Sequence, residues 1–180
     1  MRIFYEDIKD KTLSQVEAIL TKHKTDINKL KLSDLTLYGP GNGVYAFWYE
    51  NECEYVGKAS SRSMVERIPS HFDTRERAWM NSYPKAVIRN CPKISNCEKA
   101  VKRCLDSSLF MIIFKEPTNN DEYCRHLEKV IKFILRPKLK GNKLGERPRR
   151  ILEKNLPIDS TLHGAIEELV RVLPLKPKKK

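Results

Sequence analysis

The chain has 180 residues, enough for one domain with a sizeable core, and carries 35 Lys and Arg against 23 Asp and Glu, a formal net charge of +12. That balance points to an acidic partner, and nucleic acid stands ahead of an anionic membrane surface because no strongly amphipathic basic helix stands out. No run of eighteen apolar residues and no apolar leader is present, and the five cysteines (53, 91, 97, 104 and 124) contain no C-x-x-C pair; the expectation is a soluble, cytoplasmic protein with reduced thiols rather than a membrane span, a disulfide frame or a structural zinc site.

In chain order, residues 13 to 30 read as a helix that covers a sheet edge. It is opened by a Ser14-x-x-Glu17 capping box and striped with Val16, Ile19, Leu20, Ile27 and Leu30. A short strand is expected at Leu35 to Tyr38, then a glycine loop from Gly39 to Gly43. Two β-branched and aromatic runs follow, Gly43-Val44-Tyr45-Ala46-Phe47-Trp48-Tyr49 and Tyr55-Val56-Gly57-Lys58-Ala59, which make a β-hairpin. With a three-residue loop (Glu50 to Glu52) Tyr45 faces Gly57, and both Tyr45 and Tyr55 project from one face; a two-residue loop flips that parity. The segment from Arg62 to Phe72 reads as a short helix with Met64, Val65, Ile68 and Phe72 inward. Arg67 and His71, four apart, lie along its flank, and Pro69 is expected to kink or end it.

Beyond Phe72, a helix is expected over Asp73 to Asn81, capped by Asp73 or Thr74, then a strand fragment at Ala86 to Ile88 and a helix from Ser95 to Leu105 opened by a Ser95-x-x-Glu98 box. Arg75, Arg77, Trp79 and Tyr83 mix cations with aromatics, a combination suited to phosphate contact and base stacking as well as to an ordinary solvated helix face. Leu109 to Phe114 is a continuous apolar run and reads as a buried central strand. Thr118 to Asp121 offers N-caps for a helix to about Leu135, on which Cys124, Leu127, Ile131, Ile134 and Leu135 form the inward stripe and Glu128 sits at its edge. That carboxylate has two readings, a surface pair with Lys132 one turn on or a metal ligand. Residues 136 to 180 hold thirteen Lys and Arg against five Asp and Glu. They read as a basic, turn-rich extension with one helix from Ser160 to Leu173 and a disordered tail, Lys176 to Lys180.

The ordered set formed by Gly43-Val44-Tyr45, Tyr55-Val56-Gly57, Lys58-Ala59, Arg67, His71 and Glu128, with Arg136-Pro137-Lys138 closing the last helix, resembles the GIY-YIG nuclease superfamily over residues 36 to 142. The family usually has an Asn two or three residues after that proline; here Lys140 stands there and Asn142 follows two positions later. The fold expected is α/β (α+β): a small, mainly antiparallel sheet of about three strands, flanked by helices, with a helical insert at 73–106, a helical extension over 1–35 and a basic extension over 143–180. The resemblance implies a metal-dependent DNA endonuclease that leaves 5′-phosphate and 3′-hydroxyl ends, with Mg²⁺ (Mn²⁺ substituting) on Glu128 and acting on double-stranded DNA as a monomer or homodimer. Arg67 would brace the phosphoryl oxygens, and Tyr55 and His71 would position water and phosphate. Tyr45 or His71 is the base; a phenol in that role needs positive charge nearby, from Lys58 or the metal. All of these groups are expected on one concave surface.

DNA contacts are expected from Arg62, Arg75 and Arg77, from Lys138, Lys140, Asn142 and Lys143, and from the run Arg147, Arg149 and Arg150. A site-specific restriction enzyme fits a compact chain with an insert near the site. A repair or mobile-element nuclease, or a basic module that binds without cutting, are the alternatives.

Overall fold

Two stretches rich in β-branched and aromatic residues become the centre of a single sheet, and short N-terminal segments complete it. The computed structural model describes residues 2–36, 42–75, 77–78, 81–115, 121–157 and 159–173. The strands are β1 (Arg2–Phe4), β2 (Thr25–Asp26), β3 (Gly43–Tyr49), β4 (Glu52–Ala59) and β5 (Ser108–Ile113). They form one five-stranded sheet of order β1-β5-β3-β4, with β2 also on β5; only the β1–β5 pair is parallel. The mixed α/β class is as expected, and the strand number is not. β1 and β2 have three and two residues, too few to show the alternation that marks a strand.

Both faces of the sheet are covered. Alternate residues of β5 go to opposite sides, Phe110 and Ile112 to one core, Leu109, Met111 and Ile113 to the other. The first core is closed by α1 (Tyr5–Ile8), α2 (Leu13–Lys22), α7 (Asp121–Leu135), α8 (Glu146–Asn155) and α9 (Leu162–Val172). The second is closed by α4 (Met64–Arg67), α5 (Ser82–Asn90) and α6 (Cys97–Leu105), and α3 (Leu32–Thr36) lies beside α4. The α7 stripe of Cys124, Leu127, Val130, Ile131 and Ile134 is buried as the sequence periodicity implies.

Several boundaries differ from the sequence expectation, each for a local reason. The first long helix is capped by Thr12 and Gln15 in a reciprocal box rather than by Ser14 and Glu17, and it ends at Lys22, after which β2 and a 3₁₀ turn (Ile27–Lys29) carry Ile27 into the other core. Leu35 is helical, and the rest of the strand expected to Tyr38, past Thr36, lies outside the described residues. The helix expected over 73–81 is absent among the described residues there, where Asp73 bonds instead to the backbone N–H and guanidinium of Arg75; Trp79 lies outside them. Ala86 to Ile88 is helical, inside α5, with Ala86 and Val87 packed in the second core. The cap of α6 is Asn96, whose side chain accepts from Lys99 N–H. The caps expected at Thr118 to Asn120 and the lysine tail lie outside the described residues. Among the described residues the C-terminal extension has two helices: the run Arg147 to Arg150 is the start of α8, with Pro148 in its first turn, where a missing N–H costs nothing.

Candidate active site

The site begins with the register of the β3–β4 hairpin. Its turn is the two-residue Glu50-Asn51, both in the left-handed region (φ 49 and 66), and Tyr49 pairs with Glu52. Continued without interruption, that pairing would place Tyr45 opposite Val56. A bulge restores the parity: Trp48 pairs with Cys53 and Phe47 with Tyr55, leaving Glu54 as the extra residue. Tyr45 therefore faces Gly57 and shares a face with Tyr55, ring centroids 6.4 Å apart. The expected placement is right, but it is reached by a different route.

Both motif glycines are required by close approach. A Cβ on Gly57 would lie 2.4 Å from Cζ and Oη of Tyr45, and one on Gly43 would lie 1.9 Å from the carbonyl oxygen of Ile112.

Pro69 ends α4 as expected, and a 3₁₀ turn (Pro69–Phe72) takes over. Arg67 and His71 consequently do not stack on one helix flank. His71 turns inward and is fully buried, its Nε2 2.6 Å from the Tyr45 hydroxyl and its Nδ1 accepting the Tyr83 N–H at 3.2 Å. Burial, and then the charge of Arg67, hold its pKa well below 6.5, so the ring is neutral. With Nδ1 an acceptor, the single ring proton is on Nε2, and His71 donates to Tyr45.

The accessible part of the site is a cleft of about 430 Å³ lined by Tyr55, Lys58, Arg62, Arg67, Ser82 and Glu128, among others. Tyr45 and His71 do not line it, so the expectation that all the groups share one exposed concave surface is corrected: these two form a buried pair beside it. Glu128 comes from α7, on the opposite face of the sheet from Tyr45, and reaches the cleft because β4 is the edge strand, where the two helical layers meet. The Ser82 hydroxyl joins the Tyr55 hydroxyl (2.9 Å) to the Arg67 guanidinium (3.4 Å). Burial raises the pKa of both Tyr45 and Tyr55, and Arg67 acts in the lowering direction on each. Lys58 is not a free charge for a phenol. It pairs with Asp121 at the start of α7 (2.9 Å) and bonds Ser60 (2.5 Å).

Glu128 is 2.8 Å from Lys132. Among the described residues no group of three His, Cys, Asp or Glu side chains gathers, so any cation here rests on one carboxylate. One carboxylate with open sides facing a cleft fits Mg²⁺ or Mn²⁺, which keep several waters and take further oxygens from substrate phosphates.

The expected DNA-contact residues divide. Arg62 is in the cleft; Lys143 and Arg149 line a second one; Arg77, Lys140 and Arg147 are exposed. Arg75, Lys138 and Arg150 are paired with Asp73, Glu52 and Glu146. Asn142 is corrected outright: it is buried, and its carboxamide accepts the Val56 N–H (2.6 Å) and donates to the Val56 carbonyl (2.8 Å), holding the outer edge of β4.

Sequence reading missed Ser82, Tyr83, Ser60 and Asp121 as parts of the site. No spacing signal marks them, because all four lie outside the hairpin and Ser82, Tyr83 and Asp121 reach the site only through the packing of α5 and α7 against it. Comparison with protein-family models, curated proteins and solved structures finds no match. The functional reading therefore rests on residue chemistry and geometry.

Proposed function

We propose that this chain is a metal-dependent DNA endonuclease of the GIY-YIG kind that its motifs resemble, hydrolysing phosphodiesters to 5′-phosphate and 3′-hydroxyl ends. The observation that carries the reading is the cleft in which Arg62, Arg67 and Lys58 gather around one carboxylate, Glu128, beside the buried Tyr45–His71 pair. Glu128 would hold Mg²⁺ or Mn²⁺, which would supply charge to stabilise the phosphoryl and leaving oxygens. Arg67, kept in place by Ser82, braces the phosphoryl oxygens with its fork of donors, and Arg62 adds charge at the mouth. Both nitrogens of His71 are committed, which supports Tyr45 over His71 as the group that takes the proton from water. To act so, Tyr45 has first to be ionised: the His71 Nε2–H and Arg67 stabilise the phenolate, burial keeps that form a minority at neutral pH, and taking the proton from water returns it to the phenol.

One observation favours a second reading, a basic module that binds DNA without cutting. The Glu128 carboxylate is already paired with Lys132, which a cation has to displace. The experiment that separates the two is incubation of plasmid DNA with wild type and Glu128→Gln in Mg²⁺, with affinity measured in the absence of metal. A nuclease loses single-turnover cleavage by about 10² or more in the variant and keeps its affinity. A wild type that binds but never nicks the plasmid supports the module, and cleavage by Glu128→Gln at the wild-type rate removes the metal assignment.

A further inference from the structure

The C-terminal turn of α7, the loop after it and the start of α8 enclose a second cleft, of about 350 Å³, lined by Lys132, Arg136, Lys143, Arg149 and Glu153 among others. We propose that this cleft is a phosphate subsite that grips the backbone of the same DNA duplex a few nucleotides from the catalytic cleft; the proposal rests on the nucleic-acid reading of that site.

Three observations carry it. First, the charged ends of Arg136, Lys143 and Arg149 have no hydrogen-bond or ion-pair partner among the described residues, although acids are at hand. Glu153 follows Arg149 by one turn of α8 and makes no ion pair with it, whereas Arg150 pairs with Glu146 on the same helix. Three unpaired cations therefore line one cleft with a single carboxylate, Glu153, which leaves it a net positive charge that an anion would complement.

Second, Arg136 sits in the left-handed region (φ 48) immediately after α7 and before Pro137. Glycine is the residue that suits this helix-ending position, and the position before proline adds its own restriction. The chain keeps a strained arginine there, with its side chain on the cleft.

Third, the two clefts are joined. Glu128 and Lys132, four residues apart, lie along one face of α7, and Arg136 directly follows its last residue. Lys132 lines the second cleft and holds Glu128 of the first at 2.8 Å. From Glu128 to Leu135, the last residue of α7, the helix rises about 10 Å, roughly three nucleotide spacings along one DNA strand. A duplex that runs along α7 with its scissile phosphate at Glu128 would present a later phosphate to Arg136, Lys143 and Arg149.

The test measures binding of a fluorescein-labelled DNA duplex by anisotropy, without metal, over a range of salt. Four proteins are compared: wild type, a cleft triple variant (Arg136→Gln, Lys143→Gln, Arg149→Gln), a charge-matched control triple of exposed lysines on α2 and α6 (Lys22→Gln, Lys99→Gln, Lys102→Gln), and Arg136→Gly. The cleft triple is expected to lose affinity by about tenfold or more at moderate salt, and its log–log salt slope to fall by about one for each phosphate contact removed, while the control moves little. Arg136→Gly is expected to melt at the same or a higher temperature than wild type, since strain is relieved, and still to bind more weakly; this excludes misfolding as the cause of lost affinity. If wild type binds and cuts DNA but the cleft triple matches the control, or Arg136→Gly binds like wild type, the subsite is wrong and the nuclease reading stands. If wild type has no affinity for DNA at all, the nucleic-acid reading itself falls, and this inference with it.

Discussion

His71 shows how position overrides residue type. An imidazole is ordinarily a switch near neutral pH, but this one is fully buried, with one nitrogen receiving the Tyr83 N–H and the other donating to Tyr45. Burial first and Arg67 second depress its pKa, so the folded chain refuses a proton that the unfolded chain accepts below about pH 6.5. In that window the unfolded state binds more protons, and stability falls as pH falls, by about 1.4 kcal/mol per pH unit for this one group until its folded pKa is reached. Thermal melts between about pH 7 and pH 5 are expected to show this acid limb, and His71→Gln to flatten it. A limb of equal slope in the variant would assign it to other groups, His126 foremost, whose pKa burial also lowers. Tyr45, Tyr55, Arg67, His71 and Glu128 could all be singled out in the sequence because their order is itself a pattern. Ser82 could not, since a lone serine at a helix start carries no signal until α5 is seen packed beside Arg67.

At the scale of elements, the bulge in β4 decides which face the phenols occupy. It is held by chemistry, since the extra residue, Glu54, is buried and bonded by the Arg103 guanidinium through both oxygens (2.8 and 2.5 Å) and by the Tyr83 hydroxyl (2.8 Å). Arg103 also lies 3.8 Å over the Tyr49 ring. Arg103→Met leaves a buried carboxylate without its cation and is expected to cost about 3–5 kcal/mol, read from urea unfolding, with much of it regained by adding Glu54→Leu. A loss under about 1 kcal/mol would mean that the pair is not what holds the bulge. The hairpin was readable from its aromatic and β-branched runs, but the bulge was not: the only trace was a glutamate inside a strand otherwise destined for burial. Ala86 to Ile88 was misread because three residues are too short to tell period two from 3.6, and Tyr83 and Val87, one turn apart and both buried, carry the helical signal.

For the whole molecule, the sequence conveyed the class of fold and the central strand but not how many strands flank it. β1 has no alternation of its own and is recruited by pairing in parallel with Met111 to Ile113. Among the described residues no helix is long and apolar enough to cross a membrane. The net charge of +12 was plain from composition, but its arrangement was not: salt bridges occupy Arg75, Lys138 and Arg150, and free cations remain where α7 meets α8.

The capping of β4 has a consequence for how copies of this chain meet. Along its first half, from Cys53 to Val56, the outer side is taken by Lys138 N–H on the Cys53 carbonyl, Leu139 N–H on the Glu54 carbonyl, and both polar atoms of the Asn142 carboxamide on Val56. The opposite margin of the sheet is made of strands only three and two residues long. Among the described residues neither margin offers a long open ladder, so strand addition and edge-to-edge aggregation are disfavoured. Removing the lock should expose the hazard: Asn142→Ala is expected to raise the rate of aggregation on mild heating, followed by light scattering, more than its loss of stability alone explains when set beside an equally destabilised core variant such as Ile166→Val.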